Sequence, residues 1–358
     1  MSTIELSAPL TGVSDLTFPK KFISFFYAYD MAMDLGTANT LVYVKNRGIV
    51  VNQPSMVALD ERTNKVVAVG HAAKEMFGKS PRGVRCIRPM KDGVIVDFHV
   101  TALMIQQFLA LAAKRFSFIK PRIVIGVPSG ITQVEKRAVI DAALLSGVRE
   151  VLLAEEPMAA ALGTGLPVDR AVANMIVDIG GGTTEVAILS CSQTLYSHSI
   201  RVAGDEMDEA IQRHLRKECS VEVGILEAER IKLVIGSALA SERPRSMTIF
   251  GRDLATSLPR KVEISEEAVR EALGEPISAI VSSVITALEQ ISPDVAQDVM
   301  ARGIYLAGGS SLLRGLAERL HRETGIPFVL AQDPLSCVVR GVGKIIDNLN
   351  DMRVLCIS

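Results

Sequence analysis

The sequence predicts an α/β fold of two similar domains with a ligand-binding cleft between them, and two matching glycine turns carry this prediction. Residues 175–189 form an apolar run that reaches Asp178, three consecutive glycines and a second apolar run, which is typical of two strands joined by a tight turn. Residues 33–44 repeat the scheme around Asp34. The repetition predicts a duplicated domain whose two turns face each other.

The chemistry of these turns favours a bound nucleotide. Glycines let a backbone approach a ligand closely, and successive N–H groups in such a turn form a cradle for anions. Asp34 and Asp178 each end a strand beside a turn, where a carboxylate can hold hydrated Mg²⁺ next to phosphates. One such turn is equally well explained as a permissive hairpin, but the second copy favours a nucleotide held from both sides.

The composition bounds the class of protein. The 358 residues suffice for two domains, and a hydrophobic fraction of 48% predicts some apolar surface that meets a partner. The 39 basic and 40 acidic residues give a net charge of −1, so no overall field attracts nucleic acid and no nucleic-acid partner is predicted. Five scattered cysteines without a Cys-x-x-Cys pair indicate the reduced thiols of a cytoplasmic protein.

The first half alternates strands and helices. After the first hairpin, residues 48–58 continue as a strand, and a small subdomain follows with a strand at 65–69 and a helix at 71–77. Residues 100–114 are a strongly apolar helix candidate. Residues 122–128 then predict a strand that leads through a short turn into another helix.

Glu135, in the first turn of that helix, has two interpretations. Thr132 and Glu135 have the spacing of a capping box, in which the threonine caps the helix and the glutamate bonds back to it. Alternatively, a carboxylate in the first helical turn after a sheet edge can point into the cleft and position a water molecule. Both interpretations stay open from the residues alone.

A strand at 148–154 and a short helix that begins with a proline are predicted before the second half of the chain. Beyond the central hairpin, helices are predicted at 204–217 and near 226–236. Glu229 and Lys232 are three residues apart and share a face of the latter helix. They are either a solvated ion pair or a clamp on a ribose.

A third glycine turn occurs at residues 303–313, which predict a strand, the turn and a helix start. Such a helix start places N-terminal amides where a nucleotide can lie. A helix of small residues is predicted from Ser336. Around these, polar strands and turns, two helices and a last strand are predicted, in order, at 240–263, 265–273, 277–290 and 328–330.

The ordered set of motifs resembles the actin–Hsp70–sugar kinase ATPase superfamily and, within it, the bacterial actins of the MreB family. Residues 34–40 and 178–184 are similar to its two phosphate segments, and 304–313 to its adenosine segment, with connecting helices near 131–143 and 334–346. The likeness covers nearly the whole chain after the N-terminal stretch. The runs most similar to that family are Asp34–Leu41, Ile87–Ile95, Glu155–Ala161, Asp178–Ala187, Ala203–Ile211 and Ala228–Lys232.

The resemblance implies an actin-like ATPase fold with two duplicated ribonuclease-H-like domains, each with a smaller subdomain, and a nucleotide in the central cleft. Residues 1–29 would be an N-terminal extension and a possible membrane anchor. Domain I would comprise 30–170 and 336–358, with its small subdomain at about 59–95. Domain II would comprise 171–335, with its small subdomain at about 207–264.

The resemblance also implies a function and partners. It implies an ATP-binding cytoplasmic protein that polymerises with copies of itself into filaments at the inner membrane surface and organises cell-wall synthesis and cell shape. Slow, Mg²⁺-dependent ATP hydrolysis would control the polymer. Cell-wall elongation and division proteins of the membrane would be its partners.

Roles carry over residue by residue. Asp34 and Asp178 would hold Mg²⁺ through water, and Glu135, helped by Thr183, would orient the attacking water. The phosphates would meet Thr37, Ala38, Asn39, Gly181, Gly182 and Thr183. The nucleoside would meet Glu229, Arg230, Ile231, Lys232, Gly308, Gly309, Ser310 and Ser311. The family usually has glycine at the position of Ser310, which either narrows the base pocket or is neutral if φ is negative there.

Two apolar clusters with basic neighbours predict contact with the membrane. One, beside Lys20 and Lys21, has the composition of a short interfacial anchor, although an extra strand or helix packed on the first domain is the alternative. The other lies between Arg115 and Lys120, where members of the family insert apolar side chains into lipid. The predicted membrane residues are Phe22, Ile23, Phe25, Phe26, Phe116, Phe118 and Ile119.

Two other functions of the same superfamily are disfavoured. A small-molecule kinase would need a sugar-binding insertion and a carboxylate base on a substrate hydroxyl, and no such insertion is seen. A chaperone ATPase would need a substrate-binding domain after the adenosine segment, and the roughly 45 residues that follow leave no room for one.

Overall fold

The computed structural model of the chain describes residues 30–113 and 120–357. The strands of the first half are β1 (Met31–Leu35), β2 (Asn39–Val44), β3 (Gly48–Pro54), β4 (Val57–Asp60), β5 (Val66–Val69), β6 (Val84–Ile87), β7 (Met90–Lys91), β8 (Val94–Ile95), β9 (Arg122–Val127) and β10 (Glu150–Glu155). Its helices are α1 (His71–Met76), α2 (Phe98–Ala112), α3 (Gln133–Leu145) and α4 (Glu156–Thr164).

The second half follows in sequence, and the chain end returns to the first half. The strands of the second half are β11 (Asn174–Ile179), β12 (Thr184–Ser190), β13 (Gln193–Ile200), β14 (Val221–Glu222), β15 (Ser246–Asp253), β16 (Pro259–Ser265), β17 (Ile304–Ala307) and β18 (Phe328–Leu330). Its helices are α5 (Gly204–Glu218), α6 (Ile225–Ile235), α7 (Glu266–Ala272), α8 (Gly274–Glu289), α9 (Pro293–Arg302) and α10 (Leu316–Thr324). The returning elements are α11 (Cys337–Asp347), α12 (Leu349–Met352) and β19 (Cys356–Ile357).

Two mixed sheets repeat one strand order, which confirms the predicted duplication. Taken from the equivalent edge of each sheet, the order is β3-β2-β1-β9-β10-β19 in the first and β13-β12-β11-β17-β18 in the second. Each sheet has an antiparallel meander whose first strand also pairs in parallel with a later strand, β9 or β17. The two aspartates therefore occupy equivalent places, with Asp34 opposite Leu41 of β2 and Asp178 opposite Glu185 of β12.

Strand β11 is buried on both faces, which explains its unbroken apolar sequence. Met175, Val177 and Ile179 belong to the core of the second half. Ile176 points to the opposite face, as the two-residue period of a strand requires, and belongs to a core that α4 and α11 share.

Helices α4 and α11 lie between the two sheets and join the two halves. Their buried cluster contains Ala32 and Val124 of the first sheet together with Ile176 and Ala187 of the second. A shared apolar core of this kind makes these two helices the structural connection beneath the cleft.

Each half also carries a smaller sheet. Strands β4, β5 and β6 form one, with α1 packed against it through Ala73, and strands β14, β15 and β16 form the other. These elements lie largely within the small subdomains predicted at about 59–95 and 207–264. The domain boundaries themselves stay predictions.

Across residues 30–113 and 120–357, no single helix is long and apolar enough to cross a membrane. Helices α7 and α8, with a bend of 51° between them, reach that length and hydropathy only when counted together. The predicted membrane residues Phe22, Ile23, Phe25, Phe26, Phe116, Phe118 and Ile119 all lie outside the described residues.

Candidate functional site

A cavity of about 370 Å³ lies between the two halves, and both Asp-Gly turns line it. The predicted residues in its lining are Asp34, Thr37, Ala38, Asn39, Asp178, Gly181, Gly182, Thr183, Glu229, Lys232, Gly308, Gly309 and Ser310. Four residues of the predicted set lie outside this lining: Glu135, Arg230, Ile231 and Ser311. Most residues predicted from the duplicated motifs therefore meet in one cleft.

The two phosphate turns touch across the cavity through their smallest residues. A Cβ on Gly181 would lie 2.6 Å from the Cβ of Ala38, and a Cβ on Gly182 would lie 2.6 Å from Oγ1 of Thr37. Thr37 is itself held, because its Oγ1 accepts a hydrogen bond from the Gly93 N–H at 3.0 Å. Glycine at 181 and 182 thus permits this close approach of the two turns, and glycine backbone in a cavity wall can come close to a small anion such as a phosphate group.

Buried or half-buried carboxylates line the cavity beside these turns, among them Asp34, Glu156, Asp178 and Glu185. Burial raises the pKa of Asp34 to about 7, and burial together with the charge of Asp34 raises the pKa of Asp178 to about 7. Burial also raises the pKa of Glu185 to about 7, although the carboxylate accepts two hydrogen bonds. Burial and the three neighbouring charges raise the pKa of Glu156 well above its usual range.

This concentration of negative charge fits a divalent cation. Carboxylate oxygens are the donors that Mg²⁺ prefers, and a cation nearby favours the ionised form of each carboxyl. In the described ranges, no group of three or more His, Cys, Asp or Glu side chains is arranged to ligate a metal directly. The prediction that Asp34 and Asp178 hold Mg²⁺ through water needs no such group, and it stays a prediction.

Glu135 forms the capping box that its spacing predicts. Its Oε2 accepts hydrogen bonds from the Thr132 N–H at 2.8 Å and the Thr132 hydroxyl at 2.7 Å, and these bonds lower the pKa of Glu135. The carboxylate lines a second cavity of about 360 Å³, which shares Thr183 with the central one. Glu135 is therefore separated from the main cavity, and its functional role stays a prediction.

Glu156 is a candidate that the sequence analysis did not identify. It is the first residue of α4, directly after β10, and its carboxyl lines the cavity with Asp34 and Asp178. Strands β1, β9 and β10 are parallel neighbours, so their carboxyl ends meet at one edge of the sheet. The sequence feature that could have identified Glu156 is its position immediately after β10, the third of these strands.

Two of the four predicted nucleotide-binding residues of α6, Glu229 and Lys232, face the cavity. Lys232 donates to the Gly204 carbonyl at 2.7 Å and pairs with Asp208 at 2.8 Å, and Glu229 pairs with Lys74 of the first half at 2.7 Å. The other two lie elsewhere because a helix turns them away. The side chain of Arg230 pairs with Glu227 on the surface, and that of Ile231 is fully buried in the core.

The predicted adenosine turn crosses directly under Asp178. Gly308 has φ of 79°, and a Cβ there would lie 2.3 Å from Oδ1 of Asp178, so only glycine fits. Ser310 lies outside the left-handed region, so the position does not require the glycine usual in the family. Ser311 is buried outside the cavity lining, and its hydroxyl donates to the Gly308 carbonyl at 2.6 Å.

Comparisons with known proteins agree with this geometry. The model of the MreB/Mbl protein family matches residues 28–354. The cell shape-determining protein MreB of Escherichia coli (strain K12) is 49% identical over 336 residues, which cover 92% of this chain and 96% of that protein. The cell shape-determining protein Mbl of Bacillus subtilis (strain 168) is 40% identical over 326 residues, which cover 91% and 98%.

Solved structures lead to the same family. MreB5 of Spiroplasma citri bound to ADP has a TM-score of 0.85 and 35% sequence identity, covering 90% of this chain and 97% of that one. The MamK double helical filament has a TM-score of 0.74 at 23% identity, covering 88% and 98%, and shares the fold. The chain therefore belongs to the MreB/Mbl family and has the actin-like fold.

Proposed function

We propose that this chain binds ATP with Mg²⁺, polymerises into filaments at the inner membrane surface, and thereby organises cell-wall synthesis and cell shape. The observation that carries the proposal is the pair of glycine turns that meet across the cleft from equivalent strands, each with an aspartate beside it. Relatives of this chain are named for determining cell shape, and MreB5 of Spiroplasma citri was solved with AMPPNP and with ADP.

In the proposed complex, each part of the nucleotide meets one part of the cavity. The phosphates lie against the turns that contain Ala38 and Gly181, and the ribose lies beside Glu229 and Lys232. The adenine covers apolar side chains that line the same cavity and are substantially exposed without it: Leu233, Leu312 and Leu335, at 74%, 50% and 45%. Burial of apolar surface under the base then adds to the binding free energy.

For hydrolysis, we assign the orientation of the attacking water to Glu156 and keep Glu135 as the competing candidate. Glu156 lines the cavity that would hold the phosphates, whereas Glu135 is bonded to Thr132 at the cavity behind Thr183. Mg²⁺, held through water by Asp34 and Asp178, would neutralise phosphate charge. Its positive charge would also favour the ionised form of Glu156, which accepts a hydrogen bond from the attacking water more strongly than the neutral acid.

Filament formation and membrane attachment support each other in this proposal. A single cluster of three apolar side chains binds lipid weakly after the cost of association, because each buried side chain yields only roughly 1.5–3 kcal/mol. Every subunit of a filament would carry the clusters at 22–26 and 116–119, so weak sites would combine by multivalency. Partners of the assembled filament would be the membrane proteins of cell-wall elongation and division.

Sedimentation with and without ATP and Mg²⁺, in the absence and presence of anionic liposomes, tests the proposal. We expect pelleting that requires ATP with Mg²⁺, phosphate release without any added acceptor, and liposome binding that requires polymerisation. Replacing Phe116, Phe118 and Ile119 with Ser, and deleting residues 1–29, should each reduce liposome binding and leave pelleting without lipid intact. A protein that stays in the supernatant under all polymerising conditions would refute the filament. Full lipid binding by a protein that combines the three Ser replacements with the deletion of residues 1–29 would refute the membrane contacts.

A further inference from the structure

One carbonyl oxygen joins three elements of the nucleotide site. The Gly180 C=O, at the start of the second phosphate turn, accepts a hydrogen bond from the Ser310 hydroxyl at 2.7 Å. It also accepts one from the Gly204 N–H at 3.2 Å, at the start of α5. The two lone pairs of this oxygen are therefore both used, by the adenosine turn and by a helix N-terminus.

The Ser310 hydroxyl sits in a space that glycine at 204 leaves open. A Cβ on Gly204 would lie 2.6 Å from the Ser310 Oγ and 3.3 Å from the Gly180 carbonyl oxygen. Ser310 adopts its position without a left-handed backbone. The Ser310 hydroxyl thus gains an acceptor of its own without a left-handed backbone at this position.

The geometry of the peptide unit turns this bond into a constraint on phosphate recognition. In a planar trans peptide the C=O of one residue and the N–H of the next point in opposite directions, and the described residues contain no cis peptide. A Gly180 carbonyl held towards Ser310 therefore directs the Gly181 N–H away from Ser310. Gly181 lines the cavity and faces Ala38 of the opposite phosphate turn.

We propose that Ser310 is a positioning residue for the phosphates: its hydroxyl holds the Gly180–Gly181 peptide so that the Gly181 N–H is aimed at the nucleotide. The inference rests on the proposed nucleotide binding and deepens it. Three consecutive glycines have more conformational freedom than any other tripeptide. If they became ordered only on binding, the lost conformational entropy would lower the affinity for the nucleotide. Anchoring one carbonyl before the nucleotide arrives removes part of that cost.

Ser310→Ala removes only the Oγ atom and is the direct test. We expect the Kd for ATP with Mg²⁺ and for ADP with Mg²⁺ to rise roughly three- to tenfold, as for the loss of one net hydrogen bond. Adenosine, measured by competition, should lose clearly less affinity than ADP, because it has no phosphate and reports only a direct contact of Ser310 with the nucleoside. Ser311→Ala is the matched control, since that hydroxyl donates to Gly308 within its own turn and any loss should be equal for ADP and adenosine.

Amide hydrogen exchange of the nucleotide-free protein gives a second readout that is independent of ligand binding. Exchange in residues 180–184 should be faster in Ser310→Ala than in the wild type, and unchanged in Ser311→Ala. Unchanged exchange in Ser310→Ala, or an equal loss of ADP and adenosine affinity, would overturn the proposal while leaving nucleotide binding intact. A folded wild type that binds no nucleotide would instead refute the proposed function, and the positioning role with it.

Discussion

At the scale of single residues, the main feature of the site is a group of carboxyl side chains that are buried from water. The placement of Asp34 and Asp178 could be predicted, because an aspartate at a strand end beside glycines is a local pattern. The approach of Glu156 and Glu185 to them could not, because it depends on which strands become neighbours. The same limit applies to Arg230 and Ile231, which follow Glu229 in sequence but leave the cavity as the helix turns.

Asp178→Ala should weaken the binding of ATP with Mg²⁺ by roughly 10–100-fold, the usual cost of losing a group that supports a metal through a ligand. The removed carboxylate would otherwise balance Mg²⁺ beside phosphate anions. The fold should survive, because Asp178 lies one residue before the end of β11 and lines the cavity rather than the apolar core. Calorimetry on the folded variant measures the change, and wild-type affinity in the presence of Mg²⁺ would contradict the metal assignment.

Glu156→Gln and Glu135→Ala separate the two candidates for water orientation. We expect Glu156→Gln to lower the single-turnover rate of ATP hydrolysis by roughly a hundredfold or more with nucleotide binding retained, because it removes the acceptor charge and keeps the shape. Glu135→Ala should leave turnover per folded molecule unchanged and cost about 1 kcal/mol of stability, because it breaks the capping box with Thr132.

Single-turnover hydrolysis and thermal melts on the same preparations decide between the two residues. Slow turnover in Glu135→Ala with normal turnover in Glu156→Gln would return the role to Glu135, acting through the cavity behind Thr183.

The pH dependence of stability should contain a contribution from Asp208. Burial raises the pKa of Asp208 to about 6, although Lys232 pairs with it, so the folded protein holds this proton more tightly than an aspartate titrating near 3.8. This contribution is fully present below about pH 4 and is lost as the pH rises through about 6. Asp208→Asn cannot ionise, so the wild type should lose stability relative to the variant over that window. Chemical denaturation of the wild type and Asp208→Asn at several pH values measures this effect. A difference in the free energy of unfolding that does not change with pH would contradict it.

At the scale of elements, buried strands were predictable and elements near the surface were not. Strand β13 lies at a sheet edge, and its Leu195 is 51% exposed, which breaks the pattern expected of a half-buried strand. Helix α9 buries only Val299, so its apolar period is weak, although Ser292 and Pro293 are ordinary start signals that could have been read. The helix predicted directly after β17 is instead a 3₁₀ turn, because Gly315 adopts φ of 71° and α10 begins after it.

Helices α4 and α11 cross at a distance that only glycine allows, and Gly341→Ala tests it. A Cβ on Gly341 would lie 1.8 Å from the Ala159 carbonyl oxygen, and one on Gly163 would lie 1.8 Å from that of Cys337. Because the clash is with backbone, we expect a loss of about 1–3 kcal/mol or more in the free energy of unfolding. Gly274→Ala is the control, since nothing lies within 4 Å of its Cβ. Equal unfolding midpoints for the two variants would contradict the close crossing.

At the scale of the whole molecule, two cross-cleft ion pairs complement the helices that join the halves. Lys74 of α1 pairs with Glu229 of α6 at 2.7 Å, and Arg88 after β6 pairs with Asp205 of α5 at 3.2 Å. Glu229 and Asp205 also line the cavity. The cavity is thus enclosed by the apolar core of α4 and α11 on one side and by charge pairs between the two halves elsewhere. No local pattern predicts pairs between residues more than a hundred positions apart.

The ion pairs should slow the release of bound nucleotide, because the halves must separate for it to leave. Each pair is partly exposed and contributes up to about 1 kcal/mol, so Lys74→Met with Arg88→Met should speed release by roughly three- to thirtyfold. Neither altered residue lines the cavity, so direct contacts to the nucleotide are preserved. Arg216→Met is the control, because its pair with Glu222 lies within the second half.

Stopped-flow release of a fluorescent ADP measures the effect at low and high salt. High salt should speed release from the wild type and the control, and should do so less in the double variant, because screening weakens only pairs that still exist. Release rates that are the same in all three proteins would mean that the halves separate without breaking these pairs, and that α4 and α11 alone govern the opening of the cleft.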